Sequence, residues 1–581
     1  MSDPVNGGNN LAQPPKKEMS MEVRLLLAFV LMGVVMFVTQ YIMPAPPAKP
    51  PAKKDATAQT TPPPGAKDAD ATSTAPASAV ATVQAASLPA NATPQKPEPN
   101  FIIDTDLYRI SISNQGATVR SWQFKKYKGN DEKPLDVVNS AGGLDFPFAL
   151  YFPAQKPASN VNWTWYKQTG DPDGLGVTYE FSDGHVTVRK VFRFQKNSYL
   201  SRVSTEVTLD GQSLPHLIEW RGGFGDLTVS TAPGAQRTLY YDVTQNKLVE
   251  QTPKAASKGP VTASGNFSFA GIADNYFAAV FLPVGATTTT LVTFEDTVRT
   301  PITKPDEKPV PLSGMAVGAI PANRFELFVG PKDLDLLRRI NPKLEQVVDF
   351  GWLAVLAKPL FLIVNYVNNT IVHNFGWAIV LVTVAINFIL FPLKLSNMKS
   401  MRKMQALKPQ VDAINAKYKN VGLRDPKAAD KNQETMDLYK KHGVNPMGGC
   451  IPMLLQIPFF FAFYKVFTVS VEMRGAPWLW VADLSQPETI PIKILPLVMI
   501  ASQFIMQRMT PQPAGDPAQQ KMMMFMPLVF GFMFYNFPSG LVLYYLTSNL
   551  VSMGQQWFFN KTSMANLAAE SIAPPRKNGR K

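Results

Sequence analysis

The sequence predicts a polytopic α-helical membrane protein with six transmembrane helices, carrying an extracytoplasmic antiparallel β-sandwich. Three observations do so. Long apolar runs crowd residues 345–560, period-two alternation of apolar and polar residues runs from Phe101 to about residue 330, and basic residues gather on one side of the apolar runs. The averages conceal this division, because a hydrophobic fraction of 45% and a mean hydropathy of -0.05 describe an ordinary soluble chain.

In chain order, residues 1–21 are expected as a cytoplasmic N-terminus, and 22–43 contain the uncharged run "LLLAFVLMGVVMFVTQYIM" behind Lys16, Lys17 and Arg24. Its 19 residues reach about 28 Å as a helix, one hydrocarbon thickness. The run exceeds the apolar region of a cleaved signal peptide, and "PAPPAKP" follows where a small-residue cleavage site would stand, so an uncleaved anchor is expected. Residues 44–100 are rich in Pro, Ala, Lys and Thr, bury too little apolar surface to offset chain entropy, and read as a disordered linker. Stretches such as "GVTYEFSDGHVTVRKVFRFQ" and "FAAVFLPVGATTTTLVTFED" then alternate as strands over 101–330, which predicts one antiparallel sandwich.

Residues 331–375 include a segment interrupted by Lys358, Asn365, Asn368, Asn369 and His373, with Trp352 and Tyr366 suited to the headgroup level; it reads as an interfacial amphipathic helix. Spans follow at about 376–394, 450–470, 490–508 and 521–559, the last divided into two helices at "NFPSG" by Pro538 and Gly540. Between the second and third spans lie Lys394, Lys399, Arg402, Lys403, Lys408, Lys417, Lys419, Arg424, Lys427, Lys431, Lys440 and Lys441 against only Asp412, Asp425, Asp430, Glu434 and Asp437. The tail 561–581 ends in "PPRKNGRK". By the positive-inside rule this hairpin (395–444) and both termini are cytoplasmic and the sandwich lies outside. The net charge of +14 is thus mainly a topology signal, and DNA is not expected as a partner.

One cysteine, Cys450, excludes an intramolecular disulfide, and His185, His216, His373 and His442 show no ligand spacing, so neither metal nor cofactor is expected. Polar residues recur inside the spans: Thr383 and Asn387 four apart on one face, Gln456 between Pro452 and Pro458, Ser502, Gln503 and Gln507, and Tyr544, Tyr545, Thr547, Ser548, Asn549, Gln555 and Gln556. Each alone reads as interhelical hydrogen-bond glue. Together they read as a hydrophilic groove. Two spans are also short: "ILPLVMIASQFIMQ" and "MMMFMPLVFGFMFYNF" have 14 and 16 residues, about 21–24 Å, which thins the bilayer locally.

The stretches "FVGPKDLDLLRRINPKLEQVVDFGWLAVLAKPLF", "KHGVNPMGGCIPMLLQIPFFFAFYKV", "DPAQQKMMMFMPLVFG" and "NFPSGLVLYYLTSNLVSMGQQ" resemble the YidC family of bacterial membrane protein insertases, in its Gram-negative form with a large periplasmic domain. The resemblance implies a five-helix insertase core over 376–560, a location in the bacterial inner membrane, and an energy-independent insertase and chaperone acting on nascent membrane proteins, alone or with the Sec translocon. The resemblance places Thr383, Asn387 and Tyr545 at positions that line a client-binding groove, and the polar residues of the spans add Gln456, Gln503, Tyr544 and Ser548 to that lining. Family members carry an arginine in the second helix; counting back from "FPL", its place is taken here by Asn387, which keeps the groove polar but removes its fixed charge.

In the cytoplasmic loop Met401, Met404, Leu407, Val411, Ile414 and Tyr418 recur at helical spacing, Gly422 permits a turn, and "DPKAADKNQETMDLYKKHG" supplies a returning helix. Its charges are either a solvated face that sets topology or a docking surface. By resemblance the hairpin, with Met401, Arg402, Met404 and Lys408 as contacts, touches clients and helps recruit the ribosome or the signal-recognition targeting machinery. The methionines are either adaptable apolar contacts or packing, and the basic tail either touches ribosomal RNA or is a disordered end. Two other classes are weighed. A transporter or channel would also place polar residues in the membrane, but there is no internal repeat, and no Asp, Glu or Arg falls in the second, third, fifth or sixth span. An enzyme would need acid–base partners, for which only His185, His216, Glu180 and Glu219 offer themselves, without triad spacing or a nucleotide loop.

Overall fold

The computed structural model describes residues 96–562, apart from 141–142, 230–231, 286–287, 304–305, 321, 352, 419–426, 445–450, 511–524, 526 and 530. The expected anchor, the linker as far as residue 95 and the tail from residue 563 lie outside the described residues.

Strands occupy the chain from Phe101 to Pro331 in sheets of four, ten and five strands. All pairings are antiparallel; the longest joins Thr288–Val298 to Val310–Ile320, with Thr288 opposite Ile320 and Val298 opposite Val310. Alternation sets which side chains turn inward. In Val186–Arg193 the buried positions are Val186, Val188, Lys190 and Phe192, so period two carries a lysine into the core. Lys190 Nζ donates to the carbonyls of Gly116 (2.7 Å) and Phe148 (2.6 Å), and burial pulls its pKa down to about 7. Aromatic side chains fill the interior, with Trp220 6.4 Å from Trp122 and 6.0 Å from Phe148, centroid to centroid.

The helical part opens with α1 (Leu334–Ile340), capped by Asp333, whose carboxylate accepts from the Leu336 N–H. A 3₁₀ turn, Pro342–Val347, leads to α2 (Ala354–Val367), which widens into the π turn Asn368–Val372 and stops at His373, φ +53°. Ala357, Leu360, Phe361 and Val364 are buried on one face of α2, while Val355 is 90% exposed. The sequence reads this segment as interfacial; Ala354–Val372 is also the one described helix long and apolar enough to cross a membrane by itself. Its one cation, Lys358, reaches Glu345 at 3.2 Å.

Next come α3 (Phe375–Ile389) and α4 (Phe391–Ala406), and then α5 (Lys408–Lys417) and α6 (Lys427–Lys441) of the basic hairpin. After them stand α7 (Ile451–Val469), α8 (Ile494–Met509) and α9 (Ser539–Lys561). The second span expected at 376–394 is not one rod: α3 ends at Ile389 and α4 restarts at Phe391, bent by 58°. Pro392 explains the break, since it lacks an N–H for the helical ladder and its ring crowds the carbonyl four residues earlier, so it is accommodated in the first turn of a new helix. If the bent pair is one span, the described residues hold two spans by length and hydropathy; Gln456–Val469 and Ile494–Met509 are shorter apolar helices. At "NFPSG" the chain leaves its helix after Phe534, turns, and begins α9 at Ser539 behind Pro538.

The sandwich is seated on the helices rather than merely tethered to them. One apolar cluster runs from Leu239, Phe269, Val280 and Phe328 through Leu337 and Leu344 to Phe361, Phe463 and Leu541. Val471, in the loop after α7, is buried in the sandwich's own core. Arg474 of the same loop pairs with Asp226, donates to the Lys128 carbonyl at 2.7 Å, and lies over the rings of Tyr276 and Phe277.

Candidate functional site

Two helices build most of the site. Asn374 caps α3 by accepting from the Trp377 N–H (3.2 Å), and Gly376 lets α3 approach the loop after α7, because a Cβ there would stand 2.0 Å from Trp478 Cδ1. One turn apart on the inner face of α3 sit Thr383 and Asn387, the latter only 3% exposed. On α9, Tyr544, Ser548, Ser552 and Gln555 recur at four, four and three residues, a single stripe, and all are buried.

The stripes meet at Asn387. Its Nδ2 donates to the Thr383 carbonyl (2.8 Å), and its Oδ1 accepts from Ser548 Oγ (3.3 Å) and Lys394 Nζ (2.5 Å). Lys394 Nζ also donates to Ser552 Oγ at 2.9 Å, and Gln555 Nε2 donates to the Asn387 carbonyl at 3.2 Å. Gln456 of α7 joins through Ser548 Oγ (3.3 Å), and Tyr544 stacks on Phe463 with centroids 4.2 Å apart. A second polar contact lies between α8 and α9, where Asn549 Nδ2 donates to Ser502 Oγ at 3.0 Å.

Thr383, Asn387, Gln456, Ser548 and Tyr544 are thus brought to one region. Tyr545 occupies the neighbouring face of α9, its ring 5.0 Å from that of Phe534. Gln503 is half-buried beside Ser502, outside the Asn387 network. Among the described residues of these helices, three buried side-chain oxygens have no partner: Thr383 Oγ1, Gln503 Oε1 and Gln555 Oε1. An unpaired buried polar group costs about 1–3 kcal/mol, so this region is poorly optimised as packing and keeps hydrogen-bonding capacity unspent.

One expectation is corrected. Asn387 was expected to leave the groove without fixed charge; instead Lys394 brings an ammonium to it. Counting basic residues for topology placed Lys394 with the cytoplasmic loop, and the 58° bend between α3 and α4 separates it from Asn387, so the spacing of a single helix gave no signal for their contact. Ser552 was also missed, although it completes the α9 stripe.

In the hairpin, Met401, Met404, Leu407 and Val411 pack with Tyr439 and Val444 into a small core. Lys417 holds Glu434 at 3.0 Å. The contact residues expected there therefore divide: Met401 and Met404 face inward, Arg402 is half-buried and Lys408 is exposed. Met398 packs on Phe559, joining the hairpin's base to α9. In the sandwich, His185 is exposed against Asp210 (2.8 Å), whereas half-buried His216 accepts from Thr205 Oγ1 and donates from Nδ1 to the Leu214 carbonyl, both at 2.8 Å. Desolvation pushes His216 down to about 4, while burial pushes Glu219 up to about 7.

A family profile described as "60Kd inner membrane protein" matches residues 367–566, and one described as "YidC periplasmic domain" matches residues 101–363. The relative named "Membrane protein insertase YidC" of Geotalea daltonii is 33% identical over 566 residues, covering 93% of this chain and 99% of the relative. That of Syntrophus aciditrophicus is 34% identical over 491 residues, 80% of this chain and 85% of the relative. A solved structure described as "Active YidC insertase crystal structure with the first transmembrane domain resolved" is 20% identical, with 80% of this chain and 95% of that chain covered at a TM-score of 0.35. The relatives are named for a non-enzymatic function. With profiles side by side over the sandwich and the helices, and relatives matched nearly end to end, the chain belongs to the YidC family of membrane protein insertases.

Proposed function

We propose that this chain inserts nascent membrane proteins, and assists their folding, through a hydrophilic groove lined by Thr383, Asn387, Gln456, Tyr544 and Ser548, with Gln503 and Tyr545 at its flanks. The observation that carries this reading is the pair of facing polar stripes on α3 and α9, with acceptors left unpaired among apolar helices. Carrying a polar segment into hydrocarbon costs about 2–7 kcal/mol per unpaired amide. Donors and acceptors partway across offset that cost. The helices shorten the path as well: α3 has 15 residues and α8 has 16, about 22–24 Å against a hydrocarbon thickness of roughly 30 Å.

The chain works in the bacterial inner membrane, as a multi-pass protein of six spans with both termini and the hairpin cytoplasmic and the sandwich periplasmic. Its partners are nascent membrane proteins and the lipid bilayer, with the Sec translocon beside it and the ribosome or targeting machinery at the hairpin. The basic residues of 394–449 support this orientation. Photocrosslinkers at Thr383, Asn387 and Tyr545 of the full-length protein test the groove: a stalled nascent chain should be captured from these positions, and not from exposed Val355. Capture from Val355 alone would overturn the assignment.

A further inference from the structure

We infer that one flank of α2, together with exposed cations of α1 and of the 3₁₀ turn after it, is a docking surface for anionic phospholipid headgroups of the periplasmic leaflet. The inference goes beyond the insertase reading and rests only on its placing of α2 at the periplasmic face of the bilayer. Successive turns of α2 bury Ala357, Phe361 and Val364 and expose Val355, Leu362 and Tyr366. At ~100° per residue, Lys358, Asn365 and Asn369 fall between these two faces, within about 40° of one another. Asn369 Nδ2 donates to Asn365 Oδ1 at 3.2 Å, which carries the strip on into the π turn. A polar strip beside an exposed apolar one suits a helix lying in the bilayer surface, with acyl chains against one side and headgroups against the other.

At its N-terminal end the strip meets a cationic patch. Glu345, in the 3₁₀ turn, is shared by Lys358 at 3.2 Å and by Arg338 of α1. Residues 338–358 hold four cations, Arg338, Arg339, Lys343 and Lys358, against Glu345 and Asp349, and Asp349 is taken by Lys465 at 3.3 Å. Arg339 and Lys343 are exposed, and among the described residues neither pairs with a carboxylate, Asp335 one turn back on α1 included. Lys343 is steadied by neutral groups, Asn246 Oδ1 at 3.0 Å and the ring face of Tyr241 at 5.2 Å. One carboxylate left for four cations is an excess of three positive charges, and a phosphodiester complements it. The exposed Val355, Leu362 and Tyr366 run on from this patch along α2, so the ligand that fits both carries acyl chains on its anion. Each Lys or Arg beside an anionic membrane strengthens such attraction about fivefold.

The test uses the full-length protein in mixed phosphatidylcholine and phosphatidylglycerol vesicles, with a photoreactive acyl chain on one lipid or the other. The readout is the ratio of phosphatidylglycerol to phosphatidylcholine label on residues 338–369, divided by their ratio in the vesicle. The parent should favour phosphatidylglycerol at least about tenfold. Arg339→Gln with Lys343→Gln should bring the preference within about twofold of the mixture, Arg339→Lys with Lys343→Arg should keep it, and Glu345→Gln should raise it about two- to fivefold. Equal labelling in the parent, or a preference unchanged in the double Gln variant, overturns the inference. Excess inorganic phosphate or oligoglutamate at fixed ionic strength should leave the preference in place; displacement by either assigns the patch to a soluble anion or an acidic polypeptide and overturns it. Labelling by neither lipid overturns it together with the reading of α2 as interfacial. Client insertion in the same vesicles reports on the insertase reading separately: a parent that inserts nothing yet prefers phosphatidylglycerol defeats that reading and supports the lipid site.

Discussion

Replacing Arg474 by Met removes one half of a charge pair closed off from water: the Arg474 side chain is 8% exposed and that of Asp226 is 1%. The guanidinium also donates to the Lys128 carbonyl at 2.7 Å and covers the rings of Tyr276 and Phe277 at 5.8 and 5.7 Å. Asp226 keeps part of its solvation without Arg474, since its Oδ1 accepts from the Thr228 N–H (2.9 Å) and hydroxyl (2.6 Å), but Oδ2 loses its charged partner. Breaking a buried pair on one side costs about 3–5 kcal/mol. The pair bridges the sandwich and the loop after α7, so the loss falls on the seating of one upon the other. Hydrogen–deuterium exchange of the full-length protein in detergent should show roughly 100-fold faster exchange across 470–488 and 224–229 in Arg474→Met, because about 1.4 kcal/mol is tenfold and about 3 kcal/mol is the low end of the cost. Asp226→Asn combined with Arg474→Met should recover about 1–2 kcal/mol, as the uncompensated charge is gone. Acceleration below about threefold in the single variant would refute a buried, stabilising bridge, and simple additivity in the double variant would refute the coupling.

Asn387→Leu removes the hub that joins Thr383, Lys394 and Ser548, and should slow insertion of clients with polar translocated tails at least about tenfold in a reconstituted assay. Gly376→Ala places a methyl where Trp478 already stands, 2.0 Å away, and should destabilise the protein by about 1–3 kcal/mol in a detergent melting series. Met404→Ala opens the small hairpin core and should cost that hairpin about 2–5 kcal/mol, read as faster proteolysis between residues 400 and 445. For His216, the folded value of about 4 lies below the ordinary 6.5, so the unfolded chain binds more protons between these values, and stability is lost as pH falls from 6.5 toward 4. Glu219, raised to about 7, acts in the opposite direction between 4.5 and 7. His216→Gln should therefore gain on the parent by up to about 3 kcal/mol as pH falls to 4, seen as converging melting temperatures. Ion and solute flux through vesicles holding the protein should not exceed that of empty vesicles; a sustained flux would favour a transporter.

Much of the architecture was legible because periodicity is a local property. Alternation along stretches such as Val186–Arg193 reports a half-buried strand whatever it pairs with, and "NFPSG" breaks a helix because proline and glycine act on their own backbone. Thr383 and Asn387 were readable as a pair for the same reason, being neighbours on one helix face. Lys394 was not. Its sequence context, a basic loop after an apolar run, describes where its Cα lies and says nothing of which way four methylenes carry the charge. Met401 and Met404 mislead similarly: a helical stripe shows that a face is apolar, not whether a client or Tyr439 covers it.

By itself the sequence determined the division into sandwich and helices, the basic hairpin and the polar residues of the α3 and α9 stripes, because each depends on composition or spacing within one segment. Tertiary structure alone decided that the stripes face one another at Asn387, that a cation lies among them, and that Arg474 holds the sandwich to the helices through Asp226. Those are contacts between residues 7 to 248 positions apart. Bond direction and helix packing set them, and neither is written in the order of residues within a single element.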